Sequence, residues 1–219
     1  MVEIYDAHEQ GEIVKKWLRE NGSAIVMGLV IAFGGLFGFK QWQSWQENTR
    51  QRASTEFAVL DQLLTQGQMD AAMSNYQNLR DDFAESPYTS MAALKMARAR
   101  IELNQPELAI GLYEFVMENG YPRALKIVAR ERLARVLLDQ GQAEQALQTI
   151  QGESSVPGLE SRYAEVRGDI LYALGRNDEA VAAWQEALAT LEAGVGDRSQ
   201  LVMKLQDLGA DVPEAGTQS

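Results

Sequence analysis

After residue 60 one pattern recurs four times. Gly67, Asn104, Gly141 and Gly175 stand 37, 37 and 34 residues apart, and an alanine follows each of them five residues later, at Ala72, Ala109, Ala146 and Ala180. Four residues beyond each alanine comes a large apolar side chain: Tyr76, Tyr113, Ile150 and Trp184. A turn residue, a small residue and a bulky apolar residue, returning in that order at a period of about 34, mark stacked helix-turn-helix units. An ordinary helical bundle has no reason to hold four markers in register. Stacked units make binding surfaces, so the pattern points to recognition rather than bond chemistry.

The small and large positions carry different burdens. Two antiparallel helices must cross closely within a unit, which one position allows only with a small side chain, while another fills the gap between units. The last unit carries the whole set, Gly168, Leu171, Gly175, Ala180, Trp184 and Ala187, and the third repeats it with Ala134, Leu137, Gly141, Ala146 and Ile150. Arg176, Asn177 and Asp178 supply polar turn residues and a capping side chain for the following helix. Pro106 falls where a first helical turn loses no needed hydrogen bond. These residues resemble the tetratricopeptide family over residues 54 to 193. The first two units depart from the pattern, with Arg100 at a usually apolar position and three extra residues near Ser86-Pro87 and Gly120-Tyr121-Pro122.

The second constraint is Asn21 to Phe39, nineteen residues without a charge. As a helix they extend about 28 Å, close to the roughly 30 Å of a hydrocarbon core. Trp17 on one side and Trp42 with Trp45 on the other suit the headgroup level. The run Phe37-Gly38-Phe39-Lys40 offers no small-residue cleavage site, so a retained single span is expected rather than a signal peptide. Inside it, Gly34 and Gly38 form a small-xxx-small pair, and Ala24, Gly28, Ala32 and Gly35 line a second narrow stripe. Small residues let another helix approach closely in lipid, which suits docking against a membrane partner.

Basic residues give the orientation weakly: Lys15, Lys16 and Arg19 precede the span and Lys40, Arg50 and Arg52 follow it. The first three lie closer, which tilts the choice toward a cytoplasmic amino terminus. The formal charge is −11. Residues 1–20 hold three basic and five acidic side chains, leaving 17 basic and 26 acidic beyond, a balance of −9. So acidic a domain repels nucleic acid and anionic lipid. With no cysteine there is neither a disulfide framework nor thiolate chemistry.

Ala53, Phe57, Leu60, Leu63 and Leu64 recur at helical spacing in a stretch free of proline and glycine, so the spanning helix is expected to run on into the first helix of the repeats. Leu201, Val202, Leu205 and Leu208 make one apolar face of a last, capping helix. The expectation is an all-α chain: a short cytoplasmic tail at 1–20, a transmembrane helix at 21–39, a tetratricopeptide-like solenoid of about four helix pairs with a capping helix at 40–208, and a flexible tail at 209–219. No catalytic, metal or cofactor site is expected. His8 is the one histidine, and neither a phosphate loop nor a nucleophile elbow occurs. Asp81-Asp82 sits beside a predicted turn, where solvation is its ordinary role.

In solenoids of this kind the first helix of each unit lines the inner side. Aligning the units places Leu94, Arg98, Glu131, Arg135, Leu138, Arg162, Asp169 and Tyr172 there, a mixed wall suited to an extended polypeptide. The lysines and asparagines of a carboxylate clamp are not reproduced.

The opening EIYDAHEQ, the basic-aromatic VKKWLRENG, the glycine-dotted span, the following FKQWQSW and the repeats together resemble the YfgM family of ancillary Sec translocon components over nearly the full chain. The resemblance implies a bacterial inner-membrane protein with a periplasmic repeat domain that cooperates with the SecYEG channel and the membrane-anchored chaperone PpiD. It implies help for exported polypeptides on their way to periplasmic chaperones, and it settles the orientation. Two rivals are a membrane-tethered scaffold facing the cytosol that recruits signalling or assembly proteins, and an enzyme built from carboxylates.

Overall fold

The computed structural model describes residues 7–151, 157–191 and 197–212. The chain divides into two compact units, Met1–Gln51 and Arg52–Ser219. Helix α1 runs without a break from Ala7 to Thr65, so the expected continuity of the spanning helix with the first repeat helix is present. In the first unit its large apolar side chains, among them Val30, Ile31, Phe33, Leu36 and Phe37, are exposed wherever they are described. Among the described residues α1 is the one helix long and apolar enough to cross a membrane, and none of its apolar window is buried within the protein.

The second unit is built from antiparallel pairs. The carboxy-terminal part of α1 is followed by α2 (Met69–Asp82), then α3 (Pro87–Glu102) with α4 (Pro106–Asn119), α5 (Arg123–Asp139) with α6 (Ala143–Ile150), α7 (Glu160–Ala173) with α8 (Asn177–Ala189), and finally α9 (Arg198–Asp207). From α2 onward consecutive helices pack on one another, and α5 also touches α3 and α7, so the first helices of successive units lie side by side. The fold class read from the sequence is the one observed.

The recurring turn residues explain the register. Gly67, Asn104, Gly141 and Gly175 all adopt left-handed backbone angles, with φ of 71°, 55°, 75° and 72°. Each closes the preceding helix in the same way: its own N–H donates to the carbonyl three residues back, and the next N–H donates five back, as in Gly67 to Leu64 with Gln68 to Leu63 and Gly175 to Tyr172 with Arg176 to Leu171. This double closure satisfies the last carbonyls of a helix and reverses the chain. Gly209 ends α9 by the same motif.

The four alanines of the ladder have no exposed surface, and the bulky residues after them are buried too. Two apolar clusters result. One runs from Ala53 and Leu60 through Tyr76, Leu79, Ala97, Ala109, Tyr113, Ala134 and Ile150. The other gathers Leu171, Ala180, Trp184 and Ala187 with Leu201 and Leu205 of α9, so the last helix covers the end of the stack as expected.

Three local features differ from the sequence reading or go beyond it. Helix α8 has no side-chain cap: Arg176 holds its N-cap position, and a guanidinium has no acceptor to offer the first N–H groups, so it pairs with Glu179 at 2.6 Å instead. Side-chain capping occurs at α3, from Ser86, and at α9, from Asp197. The longer connections of the first two units are anchored from α3: buried Thr89 Oγ1 donates toward the Phe83 and Leu79 carbonyls at 2.6 and 3.2 Å, and the Ser90 hydroxyl accepts from the Tyr121 N–H at 3.0 Å. At the carboxy terminus, Ala210 and Val212 pack on the second cluster, though the sequence places them in a loose tail.

Candidate functional site

Counting back from the left-handed turn residue of each unit sorts the first-helix residues into rows. Six before it stand Asp61, Arg98, Arg135 and Asp169; ten before it, Phe57, Leu94, Glu131 and Glu165; three before it, Leu64, Ile101, Leu138 and Tyr172. Residues three, four and seven apart share one helix face, so these rows run along a single wall. Ion pairs reaching from one first helix to the next confirm that the faces adjoin. Lys95 of α3 meets Asp61 of α1, Arg162 of α7 meets Glu131 of α5 at 3.6 Å, and Arg135 of α5 comes within 4.0 Å of Glu165 of α7.

The centre of the wall is Glu131, 3% exposed. Its Oε1 lies 2.7 Å from Arg135 Nε, close but not aligned as a hydrogen bond, so its charge is met by ion pairing with Arg135 and Arg162. A carboxylate this buried needs such partners, whereas the two arginines, nearly half exposed, can turn to water if it is lost. Toward the carboxy terminus, Lys204 of α9 bridges Glu165 at 3.0 Å and Asp169 at 2.7 Å, and Asp169 also accepts from Trp184 Nε1 at 2.9 Å. Glu131, Arg135, Arg162 and Asp169 therefore belong to one network. Arg98 does not join it, pairing within its own helix with Glu102 at 2.8 Å. Leu94 is buried, Leu138 half-buried, and Tyr172 remains exposed with its ring 5.8 Å from that of Trp184.

Glu165 and Lys204 escaped the sequence reading for different reasons. Glu165 occupies the same row as Glu131 and is recoverable from the register. Lys204 belongs to the capping helix, outside the repeat, and no spacing rule aims it at the wall.

Two phenols lie within the repeats beneath this region. Burial pushes Tyr163 up to about 12, opposed by Arg130, and its hydroxyl donates to the Ile127 carbonyl at 3.0 Å. Burial likewise raises Tyr113, against the pull of Arg132. Both stay neutral near pH 7, as packing groups do. Among the described residues no group of three or more His, Cys, Asp and Glu is placed to hold a metal ion. The Asp81-Asp82 pair is exposed.

In the first unit Ala24, Gly28, Ala32, Gly34, Gly35 and Gly38 are all exposed, and a Cβ built on any of those four glycines meets nothing within 4 Å. The narrow stripes are open on the helix surface.

The family profile described as tetratricopeptide repeat-like domain matches residues 15–210. The ancillary SecYEG translocon subunit of Escherichia coli strain K12 is 29% identical over 188 residues, covering 84% of this chain and 88% of its own length. That of Aggregatibacter actinomycetemcomitans is 28% identical over 208 residues, covering 93% of this chain and 99% of its own. That of Neisseria gonorrhoeae is 25% identical over 210 residues, covering 91% and 97%. With its four identically closed turns, its buried alanine ladder and a profile match over most of its length, the chain belongs to the YfgM family of tetratricopeptide repeat-like proteins.

Proposed function

We propose that this protein is a non-enzymatic ancillary subunit of the bacterial Sec translocon. It is anchored in the inner membrane by the apolar part of α1, with residues 1–20 in the cytoplasm and the repeats at 40–208 in the periplasm. The observation that carries the reading is likeness along most of the chain to proteins named for that role, so that apolar helix and repeats are matched together. In this reading the stripes Ala24, Gly28, Ala32 and Gly35, and Gly34 with Gly38, pack against helices of SecYEG. The wall around Glu131, Arg135 and Tyr172 receives exported polypeptides and passes them on with PpiD.

The test combines topology with contact. Protease added to sealed spheroplasts should digest the repeat domain. A photoreactive residue at Gly28 should capture a translocon subunit, and one at Arg135 an exported chain or PpiD. A repeat domain protected until the inner membrane is opened would instead support the cytosolic scaffold, and capture of lipid alone at Gly28 would remove the docking face.

A further inference from the structure

The charged residues of the inner wall have partners within the protein. Asp61 is held by Lys95, Arg98 by Glu102, Arg135 and Arg162 by Glu131, and Asp169 by Lys204. The row three residues before each turn has no such partners: Leu64 and Leu138 are half-buried, Ile101 is 37% exposed and Tyr172 53%. One apolar side chain per first helix therefore stands beside a charge-compensated strip.

We infer that the wall selects uncharged polyproline-like segments whose large apolar residues recur at every third position. The inference rests on the groove reading of the proposed function and specifies its client. Packed helix axes lie about 8–10 Å apart, and α5 touches both α3 and α7, so Ile101, Leu138 and Tyr172 are expected at about that interval. A polyproline-like chain has three residues per turn and rises about 3.1 Å per residue, so side chains three apart lie on one face about 9 Å apart, whereas in a strand the side chains on one face recur every two residues, about 6–7 Å. The helices present no open strand edge, which leaves side-chain burial as the means of holding the segment.

Charge complementarity points the same way. A ligand carboxylate seeking Arg135 or Arg162 competes with Glu131 for it and weakens the pairing that this buried carboxylate needs. A ligand ammonium seeking Asp169 competes with Lys204 at 2.7 Å and with the Trp184 N–H. A neutral segment disturbs neither pairing while covering Ile101 and Tyr172.

The full chain in lipid nanodiscs, with empty nanodiscs as the blank, is titrated against labelled peptides by fluorescence anisotropy. One peptide carries leucine at every third position with serine between; a second has the same composition with leucines at every second position; two more keep the third-position leucines but replace alternate serines by aspartate or lysine. The neutral third-position peptide should bind about tenfold more tightly than each of the others, and Leu138→Ser with Tyr172→Ser should remove about tenfold of that affinity, since covering what the free protein leaves exposed of these two side chains is together worth about a decade. Glu144→Gln, on the exposed face of α6, should leave binding within about twofold, as surface changes away from a site do. Tighter binding of either charged peptide, or equal binding of the two neutral ones, would overturn the selection rule while leaving the groove in place. No binding by any peptide would overturn both.

Discussion

Trp184→Ala is expected to lower the unfolding free energy of the repeat domain by about 3–5 kcal/mol, the range for losing a buried tryptophan. Trp184 is 2% exposed and sits where α7, α8 and α9 meet. Its indole N–H donates to Asp169, its ring lies 5.8 Å from that of Tyr172, and the Lys204 ammonium lies 5.8 Å from its centre. Truncation opens a void and frees the Asp169 carboxylate from one of two donors, so the cost exceeds the transfer term alone. For a domain of this size the midpoint should fall by about 10 °C in a thermal melt followed by circular dichroism. A fall under about 3 °C would mean that α9 is not held through this residue.

The second large effect is a reversal of sign between two glycines. Both Gly111 and Gly168 lie inside helices, where replacement by alanine ordinarily gains up to about 1 kcal/mol. At Gly111 an added Cβ meets nothing within 4 Å, so Gly111→Ala should raise the midpoint by about 2 °C. At Gly168 the same atom would overlap the Trp184 indole, with the ring Cγ only 3.0 Å away. Overpacking of this kind costs about 1–3 kcal/mol, and displacing the ring also loosens its bond to Asp169, worth about 1 kcal/mol. The losses exceed the propensity gain, and Gly168→Ala should lower the midpoint by about 4 °C. A rise in both variants would show that α7 and α8 do not approach as closely as this packing requires.

The repeats were legible because their constraint is local and periodic. A left-handed turn admits few residues, and a close crossing admits only alanine or glycine, so Gly67, Gly141 and Gly175 and the alanines after them carry the fold openly. Asn104 belongs to the same set, since asparagine enters that backbone region more readily than most side chains. The apolar run of α1 was equally plain, because a nineteen-residue stretch without charge has few other uses. The rows of the inner wall followed from the register, but their chemistry did not. Spacing places Glu131, Arg135 and Arg162 on one side of the stack; only three-dimensional packing reveals that Glu131 is buried and binds both arginines. Lys204 comes from outside the periodic part, and Thr89 holds the end of the preceding helix by a hydroxyl that no repeat pattern records. The cap expected at α8 is absent for a plainer reason: the N-cap position falls on Arg176, which carries no acceptor, rather than on Asn177 or Asp178.

In the proposed role this helical repeat protein works as part of the export channel. Its most direct test is gentle detergent extraction of the tagged full chain, followed by mass spectrometry of what copurifies. SecYEG subunits should appear in near-constant proportion to the chain, and less of them when Gly28 and Ala32 are both replaced by isoleucine, because bulk on that stripe prevents close helix approach. Recovery of the chain without any translocon subunit, from membranes in which the channel itself is intact, would contradict it.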